Sequence, residues 1–247
     1  MKVRVLGYYG GYPYDGVGTS GYLIQSGNFN LLLDCGSGVL LELEKYLDPL
    51  QLDALILSHY HHDHKADVGV LEYYWQLNKE NRKEPTLPIY GNTDDEYSFE
   101  GLNWNNDTKA MPYNENKKLN LDPFTITFLK TKHPVPSYAV KILEKSTKKT
   151  LVFTSDTKYF DGLVDFCSDA DILITDTNFY EDKKGIKWHM TSKETGKLIR
   201  DSKAKCVIIS HLPQYGVLSD LLNETVKYSG NKSNIMLAKL GLMLDIN

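Results

Sequence analysis

At 247 residues, with 41% apolar and 24% charged residues, the chain is long enough to bury a large core and has the balance of an ordinary soluble globular protein. Its formal charge of -4 gives no general attraction for nucleic acid, which argues against a wide RNA-binding surface but leaves room for a local basic patch. Three cysteines without CxxC spacing, no secretory leader pattern at the N-terminus and no apolar run of about twenty residues point to a reduced, cytoplasmic protein with no membrane span.

In chain order, residues 2–6 alternate as a strand and lead into a Gly/Tyr-rich turn over 7–21. Residues 22–25 and 30–33 form a hairpin around Gly27-Asn28 that ends at Asp34-Cys35-Gly36. Helical spacing over 39–46 is closed by Pro49, a buried strand covers 54–58, and 66–77 reads as a helix. Tyr73, Tyr74 and Trp75 in that helix suit a core or a homodimer contact. Residues 78–118 are polar, with only 87–90 clearly a strand, and suit a surface excursion or a lid over a site. The second part repeats the logic: strands at 124–130, 138–143, 150–154, 171–175 and 206–210, helices at 163–167 and 191–201. The expectation is a single α/β domain over 1–247 with pseudo-duplicated halves of about 1–120 and 121–247, two sheets packed together with helices outside.

Four of the seven histidines fall in His59-Tyr60-His61-His62-Asp63-His64, directly after the apolar strand Leu55-Ile56-Leu57-Ser58. Neutral imidazoles and carboxylates at the end of a strand suit zinc, manganese or iron. His59 and His61, two apart in an extended segment, point to one side and can share one ion, whereas Asp63 and His64 follow a turn and can reach a second. Paired ions about 3.5–4 Å apart suit hydrolysis of esters and phosphodiesters. Asp156 at a strand end is the candidate bridge, with His133 completing the first ligand set and His211 the second. His62 has no part in this pattern.

His-x-His-x-Asp-His, followed in order by His133, Asp156 and His211, resembles the metallo-β-lactamase superfamily, and Leu31-Leu32-Leu33-Asp34-Cys35-Gly36 matches the strand that precedes its motif. The resemblance covers nearly the whole chain. It implies a four-layer αβ/βα sandwich, two mixed sheets face to face with helices outside and metals at one edge. Leu173-Ile174-Thr175-Asp176-Thr177-Asn178-Phe179 with Trp188-His189-Met190-Thr191-Ser192 is similar to the ribonuclease Z branch. By that likeness Asp176 orients His189, which acts on the scissile phosphate. Only Pro134 to Ser155 separates His133 from Asp156, in place of the long tRNA-gripping arm of that branch, which argues against tRNA as substrate.

The reading is therefore a binuclear metal-dependent hydrolase holding two divalent ions, zinc foremost with manganese and iron as alternatives. A metal-bridging hydroxide is expected to attack a small-molecule or short single-stranded phosphodiester. Asp63 and His189 are the expected catalytic residues; His59, His61, Asp63, His64, His133, Asp156 and His211 are the expected ligands. Asp34 reads either as the acceptor that holds a liganding imidazole or as a turn aspartate. The charge run Lys183, Lys184 and Lys187 reads as a solvated face or as help in holding a phosphate. Rival readings keep the fold and change the chemistry: a carbonyl-ester hydrolase (lactone, thioester or β-lactam), an oxygen-reducing di-iron protein, or a metal-holding sensor without turnover.

Overall fold

The computed structural model describes residues 1–230 and 233–246. The chain divides into two compact units, one of Met1–Asn114 with Lys239–Asp245, the other built on Glu115–Ala238.

In the first unit the strands are β1 (Lys2–Gly7), β2 (Gly21–Ser26), β3 (Phe29–Leu33), β4 (Ala54–Ile56), β5 (Leu87–Asn92) and β6 (Thr108–Tyr113), joined at the β1 edge by the C-terminal strand Met243–Asp245. From that edge inward three pairings are antiparallel; β3 to β6 then run parallel. Parallel strands covered on both faces need continuous apolar runs, and Leu31, Leu32 and Leu33 are all fully buried. Helices α1 (Val39–Leu43), α2 (His62–Lys65), α3 (Val68–Leu77) and α4 (Glu96–Glu100) complete the unit. Leu23, Leu32 and Leu55 of the sheet pack with Val39 and Leu43 of α1 and with Val68, Leu71 and Trp75 of α3. Each such leucine contributes about 2 kcal/mol by leaving water. Trp75 thus belongs to the core, whereas Tyr73 is exposed and stacks near Trp104.

The second unit holds β7 (Leu119–Leu121), β8 (Phe124–Lys130), β9 (Tyr138–Glu144), β10 (Thr150–Phe153), β11 (Ile172–Asp176), β12 (Cys206–Ser210) and β13 (Asn234–Leu237), in that spatial order. Again three antiparallel pairings are followed by three parallel ones. Its helices are α5 (Asp161–Phe166), α6 (Ser192–Ser202) and α7 (Leu218–Ser229). Thr191 and Glu194 form a reciprocal capping box that starts α6. Gly196 lets α6 and α7 approach closely, since a Cβ there would sit 2.6 Å from the Thr225 carbonyl and from Tyr228 Cβ. Val152, Leu173 and Val207 of the sheet pack with Leu163, Leu198 and Ile199 of these helices. The expected fold class is what is found: two mixed seven-stranded sheets with helices.

Several boundaries differ from expectation for identifiable reasons. The strand expected over 54–58 stops at Ile56 because the Ser58 amide donates to Asp34 Oδ1 instead of continuing the ladder. The helix expected from 66 begins at Val68, behind the separate turn of α2. Residues 78–118 carry more order than their polarity suggests, since β5 and β6 both join the first sheet. Helix α7 adds to the expected elements: its apolar residues Leu218, Leu221, Leu222 and Val226 recur at helical spacing, and the polar Thr225 and Ser229 share the buried face with Leu221. Among the described residues no helix is long and apolar enough to cross a membrane.

Candidate metal centre

Within each unit the expected ligands collect where parallel strands end, the position at which open α/β sheets place their sites. In the first unit β3 ends at Asp34 and β4 leads through Leu57 and Ser58 to His59. Asp34 adopts a left-handed backbone, φ 57°, a conformation that Asp tolerates better than most residues. Its fully buried carboxylate accepts from Ser20 Oγ at 2.9 Å, the Ser58 amide at 2.8 Å and Ser58 Oγ at 3.0 Å. Its Oδ2 also lies 2.7 Å from His64 Nδ1, which fixes that ring and leaves Nε2 as the ligand atom.

His59 Nε2 and His61 Nδ1 lie 3.1 Å apart, a separation that suits two ligands at about 2.0–2.1 Å from one ion. Asp63 Oδ2 is 3.5 Å from His64 Nε2, so the second pair is also formed. His62, on the same short helix, is exposed. The Gly11 amide donates to Asp63 Oδ2 at 2.7 Å, which ties the Gly/Tyr-rich loop to this carboxylate. At Gly36 a Cβ would stand 2.1 Å from the Asp63 carbonyl, so only glycine lets the two segments meet. Tyr113 Oη donates to the carbonyls of Leu57 and Ser58, at 2.7 and 3.1 Å, and so braces the segment that delivers His59.

In the second unit β10 leads to Asp156, β11 ends on Asp176 and β12 leads to His211. Ser155 and His211 have positive φ, 52° and 53°, so the backbone is turned sharply at both strand ends. Asp156 Oδ1 lies 3.3 Å from His211 Nε2, and its Oδ2 lies 3.9 Å from His133 Nε2. That carboxylate therefore stands between two imidazoles. Asp176 Oδ2 lies 2.9 Å from His189 Nδ1 and also accepts from the Thr157 amide at 2.9 Å. The His189 ring stacks on that of His211 with centroids 4.9 Å apart. Donor atoms of Asp156, Asp176, His189 and His211 all lie within 4.8 Å of one another.

The charges in this cluster hold each other. Burial works against ionisation of Asp176, but His189 and His211 outweigh it and hold the carboxyl below the usual carboxylate range. Burial likewise depresses His189, yet Asp176 and then Asp156 lift its imidazole above the ordinary value. At 19% side-chain exposure His189 is the most open of this group; His133, His211 and Asp176 have 3%, 7% and 1%. The donors of both units are imidazole nitrogens and carboxylate oxygens with no thiolate, and this set fits a catalytic divalent metal better than a structural zinc site.

Sequence reasoning missed the supporting groups. The Gly11 amide, Ser20, Ser58, Tyr113 and Thr157 act through backbone position or through partners far along the chain, and no spacing announces them. The run Asp34-Cys35-Gly36 was the one usable signal, a polar residue and a glycine straight after a buried strand.

The chain matches the family described as "Beta-lactamase superfamily domain" over residues 29–212. It is 44% identical over 245 residues to the "Probable metallo-hydrolase YhfI" of Bacillus subtilis, a match that covers 98% of this chain and 99% of that one. The crystal structure of that metallo-β-lactamase fold protein superposes with a TM-score of 0.92 at 42% identity over 98% of both chains. Ribonuclease Z of Archaeoglobus fulgidus is 21% identical over 270 residues, covering 86% of this chain and 87% of its own. The crystal structure of human tRNase Z, short form, gives a TM-score of 0.77 at 19% identity over 100% of both chains, a likeness of fold.

Proposed function

Because the chain belongs to the metallo-β-lactamase superfamily, with a metallo-hydrolase and ribonuclease Z among its relatives, we propose that it is a binuclear metal-dependent phosphodiesterase acting on a small or single-stranded substrate. In this reading His59, His61 and His133 hold one divalent ion, Asp63, His64 and His211 hold the other, and Asp156 serves both. Zinc is the first choice for such donors, and the same set accepts manganese or iron. When bound, the ions supply Lewis acidity toward a phosphoryl oxygen and lower the pKa of a water.

The observation that carries the choice of phosphodiester chemistry is the Asp176–His189 pair. With Nδ1 held at 2.9 Å by Asp176, His189 keeps Nε2 for a substrate. The two neighbouring carboxylates favour the protonated ring, so Nε2 can give its proton to a departing alkoxide. The amide of Gly11 donates to one oxygen of Asp63 and fixes the orientation of this carboxylate, which would serve the second ion. His189→Ala is expected to lower hydrolysis of bis(p-nitrophenyl) phosphate by about 10²–10⁴-fold with both metals retained by elemental analysis. Unchanged turnover would remove His189 from the chemistry, and a strong preference for lactones or thioesters would overturn the phosphodiesterase reading.

A further inference from the structure

The chain's formal charge of -4 hides an uneven distribution. Residues 115–238 carry 19 Lys and Arg against 15 Asp and Glu, so the remainder holds 9 of the 28 cationic and 17 of the 32 acidic residues. The second unit is thus net basic by four charges, the rest net acidic by eight.

The basic residues of the second unit gather along α6. A cleft of about 340 Å³ is lined by Lys183, Lys187, Lys193, Lys197, Arg200 and Tyr228. Its two carboxylates are already engaged: Glu194 pairs with Lys187 at 2.6 Å and Glu181 with Lys227 at 3.3 Å. Lys193, Lys197 and Arg200 are spaced i, i+4, i+7 and share one face of the helix, over about 10 Å of its length. At Arg200 this cleft meets a second one of about 470 Å³, lined also by Lys203 and Lys205. Here Arg200 pairs with Asp201 at 2.8 Å and Lys205 with Asp171 at 2.9 Å, which leaves Lys193, Lys197 and Lys203 among the cations of the track outside these ion pairs. Lys187 and Thr191, at the other end, flank His189 in the chain.

Three aromatic rings lie under cations of this region, and Tyr228 among them lines the cleft. Lys193 Nζ lies 5.3 Å from the Tyr228 ring, Lys197 Nζ 4.4 Å from Tyr159 and Lys183 Nζ 4.8 Å from Phe179. A row of cations alone suits any polyanion. Cations seated on half-buried rings suit one whose phosphates alternate with flat bases, because a lysine that leaves its ring for a phosphate uncovers a face on which a base can stack.

We propose that the α6 track is an extended binding site for the phosphate backbone of single-stranded nucleic acid, leading the strand toward His189. The proposal rests on the phosphodiesterase reading and adds a substrate class to it. It also accounts for Lys183 and Lys187, which line the cleft, whereas Lys184 does not.

The test is binding of a fluorescein-labelled twelve-nucleotide oligothymidylate to the full chain, followed by fluorescence anisotropy across a salt series. Wild type is expected to bind with a salt-dependent Kd. The triple substitution Lys193→Ala, Lys197→Ala, Arg200→Ala should weaken Kd at least tenfold and reduce the salt slope by about 2, at about 0.7 per lost phosphate contact. Lys193→Arg with Lys197→Arg should retain binding, which separates charge from folding. No oligonucleotide binding by wild type, or an unchanged slope in the triple variant, overturns the track. Tighter binding to vesicles of phosphatidylcholine with one-third phosphatidylserine than to the oligonucleotide also overturns it, in favour of a membrane surface. The phosphodiesterase reading is read separately from wild-type hydrolysis of bis(p-nitrophenyl) phosphate. Its failure with oligonucleotide binding intact and track-dependent leaves a nucleic-acid-binding face without that chemistry.

Discussion

Asp34 shows how one buried side chain can hold an expected metal ligand, His64, in a fixed orientation. Its carboxylate satisfies two serine hydroxyls, one amide and the Nδ1 of His64, all fully buried. Asp34→Asn keeps the shape and tolerates the left-handed backbone, but it turns one acceptor oxygen into a donor facing groups that already donate. The expected result is a 10–100-fold loss of metal affinity, measured by competition with a chromophoric chelator, with the fold retained by circular dichroism. Unaltered affinity would reduce Asp34 to the turn aspartate that the sequence also allowed. The contrast with Gly11 and Ser58 is one of physics. Asp34 follows a run of three buried leucines, so a charge there asks for a reason. An amide from a glycine loop carries no side-chain signature, so its bond to Asp63 becomes visible only once the loop is folded.

At the scale of elements, α3 buries a group its pattern did not forecast. Val68, Leu71 and Trp75 on its inner face are apolar, yet Glu72 lies among them at 7% exposure. Burial pushes its carboxyl up to about 7, with Lys65 only partly opposing the shift. A folded pKa raised above the unfolded one means that the native state binds the extra proton. Stability therefore falls as pH rises from about 4.5 to 7, and above 7 the full penalty of about 3 kcal/mol or less remains. Glu72→Gln should raise the thermal midpoint by several degrees at pH 8 and leave it nearly unmoved at pH 4.5. Equal shifts at both pH values would assign the effect to packing instead of charge. The strands were legible because runs such as Leu31–Leu33 and Cys206–Ser210 admit no amphipathic alternative. Strand β6 was not, since it sits at a sheet edge with little apolar pattern, and in helix α7 the polar Thr225 and Ser229 dilute an otherwise helical spacing of Leu218, Leu221, Leu222 and Val226.

Across the whole molecule, the proposed ligands run from His59 to His211 in the chain, so their joint use is tested best by the stability of the whole protein. The sequence singled out this proposed ligand set because histidines and carboxylates at strand ends are chemically unusual in an ordered series. The charge division between the units was legible too, since the expected boundary near residue 120 lies close to the one found at Asn114 and Glu115 and gives nearly the same split. A ligand that binds only the native state stabilises it by about 4 kcal/mol at a thousand times its dissociation constant. For a chain of this size each kcal/mol moves the melting temperature by about 2–4 °C, so chelation should lower it by about 10 °C and added zinc should restore it. His61→Ala should lose part of the zinc-dependent shift, because the second ligand set is left intact, whereas His62→Ala, altered at an exposed position inside the same run, should keep the full shift. A wild-type midpoint that stays put while elemental analysis shows the metal gone would mean that metal binding does not stabilise the native state as proposed. Equal zinc responses in the two variants would remove His61 from the ligand set, and with it the i, i+2 geometry on which the first ion depends.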